Sequence, residues 1–326
     1  MSDPITVVDL PPEALRGSYV PLVTPFRRGE VDFEAFAGLV DRQVEAGSAG
    51  IVVTGTSGEP SVLTIDERVR LYEVAVATAG DRLSVVAATG SQSHAETAVL
   101  TRRAQKAGAT AVLVVTPYYI RPPQRGMVEY FVQIAGETTL PVLIYHIPGR
   151  SSVSLSVPSL AEAVRRAPNV VGVKHASTDL GWATDLLTEL GPGFRLFCGL
   201  EELSFPMLAL GAAGLMNAVG NLAPASISRL CRAVADGDLM EARRLHYELF
   251  PLNQAVFWDT NPIPIKYLMK VLGTLADNEH RLPMMPADPE LGSRLDALVP
   301  RLRPLTRLPV RSPGKGERKN ADERFA

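Results

Sequence analysis

"NVVGVKHAS" (169–177) is an apolar, β-branched run that ends in Lys174, His175 and Ala176. Strands of a parallel sheet are covered on both faces, so they read as near-continuous Val/Ile runs without polar alternation, and this stretch has that form. Its lysine is the unusual part. Of 33 basic residues only six are lysines, namely Lys106, Lys174, Lys266, Lys270, Lys315 and Lys319. Arginine serves for surface charge in this chain, so a lysine at the end of a buried strand needs its own reason.

Outward from this run the pattern repeats. "SYVPLVTP" (18–25), "GIVVTG" (50–55), "LSVVAATG" (83–90), "AVLVVTP" (111–117), "PVLIYHIP" (141–148), "VVGVKHAS" (170–177), "RLFCGL" (195–200) and "GLMNAV" (214–219) are eight short apolar runs. Helical segments separate them: one opens at Asp32 and ends at Gly47, and another opens at Thr64 with Glu67 three residues on, the capping-box spacing. Eight βα alternations predict an α/β fold, a (β/α)8 TIM barrel over residues 15–236. No Gly-rich dinucleotide turn follows the first run, which argues against an open doubly wound sheet. Beyond the eighth run the pattern is wholly helical. This predicts a C-terminal helical region over 237–302, suited to packing on the barrel or on another subunit, and a disordered tail over 303–326.

Composition narrows the function. The 326 residues are 46% hydrophobic and carry a formal charge of −2, which gives no reason to expect nucleic acid or an anionic membrane as partner. Small molecules are the default ligands. Cys198 and Cys231 are the only cysteines, too few for a disulfide framework, so a reducing cytoplasm is expected. The first residues lack the form of a signal peptide, and no run reaches about 18 apolar residues.

Reactive groups of such a barrel sit at the C-terminal ends of its strands. Lys174 ends the sixth run, Tyr145 lies near the end of the fifth, Thr56 and Ser57 follow the second, and Tyr118 and Tyr119 follow the fourth. A lysine enclosed by barrel walls loses hydration, which disfavours its charged form and favours a nucleophilic amine able to form a Schiff base with a carbonyl substrate. An ion-paired lysine in the barrel mouth would leave the same trace in the sequence. Tyr145 is either a proton carrier or an aromatic plug. "GTSGEPSVLT" (55–64) places Thr56 and Ser57 between Gly55 and Gly58, where a sharply turned backbone presents N–H groups to an anion, although a loop bonded only to itself has the same composition. Arg150, after a Pro-Gly turn, suits a carboxylate or a surface salt bridge. His146 and His175 lack metal-ligand spacing and are expected to pack or support, and no metal is expected.

Taken in order, "PLVTPF", "GTSGE", "VTPYY", "YHIPGRS", "GVKHAS" and "TNPIPIKY" resemble the dihydrodipicolinate synthase/N-acetylneuraminate lyase family of class I, pyruvate-dependent aldolases, over about residues 15 to 300. The resemblance implies that Lys174 forms a Schiff base with pyruvate and Tyr145 transfers protons, with Thr56 linking it to Tyr119 of a neighbouring subunit. It also implies substrate contacts at Gly55, Ser57, Arg150, Gly199 and Met216, no cofactor beyond the covalent lysine–pyruvate adduct, and a homodimer or homotetramer. The expected reaction is condensation of pyruvate with aspartate semialdehyde. The alternatives are aldol cleavage or dehydration of a 2-keto-3-deoxy sugar acid, N-acetylneuraminate lyase-like chemistry, and a keto-acid-binding barrel without turnover. Ala176 and Arg150 favour the synthase. Four departures bear on the second substrate: His146 for Asn, His175 for Glu, Leu200 in place of an acid, and "MNAVGN", read as placing Met216 and Asn217 on the pocket side.

Overall fold

The computed structural model describes residues 10–11, 13–306 and 308. Its eight parallel strands are β1 (Gly17–Pro21), β2 (Gly50–Val53), β3 (Ser84–Ala88), β4 (Ala111–Val115), β5 (Val142–His146), β6 (Val170–His175), β7 (Arg195–Cys198) and β8 (Gly214–Leu215). Each pairs with its neighbour in sequence. The sheet closes where Gly17 and Ser18 of β1 face Gly214 and Leu215 of β8. Inside the barrel Tyr19, Val52, Val86, Leu113, Leu143, Val171 and Phe197 form one apolar cluster, and a larger cluster fills the space between strands and helices. Burial on both faces explains why the strands lack polar alternation.

The helices start where side chains satisfy their free amides. Asp32 accepts from the Ala35 amide at 2.9 Å to open Phe33–Glu45, and Thr64 and Glu67 form a reciprocal capping box at the start of Ile65–Ala79. A hairpin of Phe26–Arg27 with Glu30–Val31 was not foreseen. Its two-residue turn places Arg28 and Gly29 at φ 55° and 82°, the left-handed pair that matches strand twist, and Glu279 accepts from both amides.

Strand β8 is shorter than the apolar run 214–219. The backbone leaves the sheet for a 3-10 turn at Ala218–Asn221, where the Asn221 amide group donates to the Pro21 and Ala218 carbonyls and accepts from the Val23 amide. Side-chain bonds of this kind compete with the ladder.

The C-terminal helices are Leu239–Ala255, Ile263–Val271, Pro289–Asp296 and Val299–Thr306. The last corrects the expected start of the tail. Leu302 is fully buried, and the carbonyls of Leu305 and Thr306 accept from Ser226 and Arg42, so packing and side-chain donors carry the helix past residue 302. Apart from residue 308, the rest of that expected tail lies outside the described residues.

One irregularity aims the sixth strand. Val142 pairs with Val170 but Leu143 pairs with Gly172, so Val171 is an extra residue in β6. Val170 packs outside the barrel and Val171 inside, whereas Val173 is again outside. Beyond Val170, uninterrupted alternation would turn Lys174 outward. The bulge reverses that phase and brings Lys174 to the interior beside Phe197 and Tyr145.

Candidate active site

Lys174 and Tyr145 are direct partners across β5 and β6, and both face inward. The lysine is 4% exposed, and its Nζ lies 4.2 Å from the centroid of the Tyr145 ring. The Tyr145 hydroxyl is 3.4 Å from Thr56 Oγ1. Gly199 supports the other side of the lysine: a Cβ built there would lie 2.8 Å from Lys174 Cε and 3.0 Å from Ala176 Cβ, so a larger residue would displace the lysine stem. Met216 is buried in the interior cluster alongside Tyr145.

A cavity of about 630 Å³ opens over this end of the barrel, lined by Gly55, Thr56, Tyr118, Tyr145 and Arg150 among others. Lys174 does not itself line it and meets the cavity through Tyr145. Ser57 is buried, and its hydroxyl accepts at 3.1 Å from Nδ2 of Asn261, itself a residue of the cavity wall. Tyr119 is 85% exposed at φ 72° and stands outside this cavity, while its neighbour Tyr118 lines it.

The loop that carries Thr56 is bracketed by two non-glycine residues in the left-handed region, Thr54 at φ 55° and Glu59 at φ 53°. Such backbone costs about 1 to 2 kcal/mol per residue and persists only where surroundings enforce it. Here they do. Thr54 Oγ1 bonds the Ala88 carbonyl and the Tyr72 hydroxyl, and the Glu59 carboxylate accepts from Lys266 Nζ at 2.9 Å and His280 Nδ1 at 2.9 Å. Lys266, with no exposed surface, also donates to the Thr24 and Glu279 carbonyls. Burial pulls its ammonium down in pKa and the Glu59 charge opposes that pull. The C-terminal region thus builds part of the site, through Asn261 in the turn before the helix Ile263–Val271 and through Lys266 within it.

Sequence reasoning did not assign a role to Glu59, Lys266 or Asn261. The signal was present, since the scarcity of lysine that marks Lys174 marks Lys266 equally. A fourth such residue is Glu201, 1% exposed, whose carboxylate accepts from the Ala218 amide at 2.7 Å and whose acidity burial weakens to a pKa of about 7.

His146 and His175 face away from Lys174, outside the barrel, where both stack on Trp182 with ring centroids 4.6 and 4.4 Å away. Strand alternation separates them from the reactive pair despite their adjacency in sequence. Asn217 also corrects the expectation, because it points from the pocket to donate to Ser204 Oγ at 2.6 Å while Met216 faces inward. Of the departures near the strand ends, Met216 is buried in the interior cluster and Leu200 packs against it.

A family model described as the dihydrodipicolinate synthetase family matches residues 14–301. A 4-hydroxy-tetrahydrodipicolinate synthase of Thermus thermophilus is 44% identical over 287 residues, which cover 88% of this chain and 96% of that protein. The crystal structure of dihydrodipicolinate synthase from Aquifex aeolicus superposes with a TM-score of 0.87 at 37% identity, covering 89% of this chain and 99% of that one. The chloride-inhibited dihydrodipicolinate synthase from Acinetobacter baumannii complexed with pyruvate superposes with a TM-score of 0.85 at 32% identity, covering 89% and 99%.

Proposed function

This chain belongs to the dihydrodipicolinate synthetase family, and on that premise we propose that it is a lyase of the 4-hydroxy-tetrahydrodipicolinate synthase type that joins pyruvate to aspartate semialdehyde through Lys174. The observation that carries the assignment is the inward lysine in register with Tyr145, whose hydroxyl is within reach of Thr56. The free amine adds to the pyruvate ketone carbon, and loss of water leaves a protonated imine. Removal of a methyl proton then gives an enamine, because the iminium accepts the electron pair. The enamine carbon attacks the aldehyde carbon, and the aldehyde oxygen takes up a proton. Attack of the substrate's own amine on the imine carbon, with ring closure, returns the lysine.

Tyr145 stands beside the amine and carries these protons, and Thr56 holds its hydroxyl. Tyr119, exposed beside Ile120, which is itself 59% exposed, reaches a second copy of the chain and completes the relay there. Arg150 at the cavity mouth receives the carboxylate of the aldehyde substrate. Among the described residues no helix is long and apolar enough to cross a membrane, which agrees with work on small, water-borne acids.

Borohydride reduction with pyruvate followed by intact-mass measurement tests the central step. A pyruvate adduct in the wild type that disappears in Lys174→Ala is expected. A folded wild type without an adduct, or an adduct that persists in the variant, overturns the assignment. Turnover of pyruvate with aspartate semialdehyde, set beside a panel of 2-keto-3-deoxy acids, decides the second substrate.

A further inference from the structure

Glu201 lies in the 3-10 turn Glu201–Leu203 that follows β7, and its side chain crosses to the turn that follows β8, where Oε1 accepts from the Ala218 amide. Two residues upstream, Gly199 bears the stem of Lys174. The Glu201 backbone is tied down by side-chain donors. Ser204 Oγ donates to the Glu201 carbonyl, which obliges Asn217 Nδ2 to donate to Ser204, and Asn253 Nδ2 donates to the same carbonyl at 3.1 Å. Both amides are oriented by these bonds. Their oxygens, Asn217 Oδ1 and Asn253 Oδ1, are left buried without partners, as is Glu201 Oε2. The backbone N–H groups of Ala218, Glu201 and Val219 favour the charged form, yet Oε2 stays buried without a partner, and burial outweighs them. A proton on the carboxyl removes the charge from that enclosed site.

Resting on the keto-acid reading of Lys174, we propose that Glu201 is a positioning residue that works in its neutral form, a protonated strut joining the turns after β7 and β8 so that Lys174 is held for imine formation. Ionisation charges a fully buried site, which loosens the wall against which the lysine leans. Its weakened acidity agrees with this. The titratable groups that face it are few. Lys174 opposes the shift from β6, Cys198 is a thiol that burial raises to about 12, and Glu202 on its own turn is exposed.

The test compares wild type, Glu201→Gln and Glu201→Leu by the rate of borohydride-trapped pyruvate adduct across pH, with urea unfolding of each protein in parallel. The ratio of wild-type to Glu201→Gln trapping rates is expected to fall about threefold or more from about pH 6 to about pH 8.5, and Glu201→Leu to trap about tenfold more slowly at every pH. A ratio that stays flat with pH, or Glu201→Leu trapping as fast as wild type, overturns the proposal. The unfolding series separates the two readings. If the wild type forms no adduct, the keto-acid reading fails and the positioning role with it, while a stability gap between wild type and Glu201→Gln that widens with pH still establishes the proton on Glu201.

Discussion

The states of His146 and His175 follow from their neighbours. His175 Nε2 lies 3.1 Å from the Asp179 carbonyl, which only accepts, so that nitrogen carries the proton and Nδ1 is the acceptor. His146 Nδ1, 3.1 Å from it, is then the donor, and His146 Nε2 accepts from Ser154 Oγ at 3.1 Å. The chain of bonds is complete with both rings neutral. Burial, with His175 as the second cause, depresses the His146 pKa to about 3, and burial depresses that of His175. Because the folded value lies below the unfolded one, this contribution to stability is full above about pH 6.5 and is lost as pH falls toward 3. From about pH 7.5 to about pH 4.5, His146→Asn should therefore lose about 3 kcal/mol less stability than wild type in urea unfolding. Equal losses in the two proteins would refute a neutral buried His146. The sequence marked both histidines as departures from the family pattern. It did not show their direction, because side chains adjacent on a strand face opposite sides.

At the scale of elements, the loop from Gly55 to Glu59 depends on the helix Ile263–Val271 that lies about 200 positions later in the chain. Lys266 uses its three donors on Thr24, Glu59 and Glu279, so removing it leaves a buried carboxylate with His280 alone. Lys266→Met should cost about 3 to 5 kcal/mol, and Glu59→Gln in the same chain should restore part of it, because breaking a buried pair costs more than removing both charges. A double variant no more stable than the single one in chemical denaturation would disprove the pairing. Thr56 sits on that loop, so kcat should fall in Lys266→Met more than KM rises. The capping residues Asp32, Thr64 and Glu67 were legible because a helix start is a local arrangement. The pairing of Lys266 with Glu59 was not, because nothing local in either segment identifies the other.

At the scale of the whole molecule, the site in one chain has Tyr145 and Thr56 in place and Tyr119 pointed outward. Light scattering should accordingly find a dimer or a multiple of it, and Tyr119→Phe should lower kcat by about tenfold or more while adduct formation persists. An active monomer would contradict the shared site. The sequence by itself determined the barrel, since eight β-branched runs separated by capped helices leave few other ways to bury both faces of every strand. It also singled out Lys174 and Tyr145 through their places at strand ends. The tertiary structure decided which way those side chains point. An apolar strand carries no alternation to set its phase, and one extra residue at Val171 exchanges the inward and outward faces of everything after it. It also decided that Glu201, Lys266 and Asn261 belong to the site, because their partners are brought together only when the barrel closes and the C-terminal helices pack across its end.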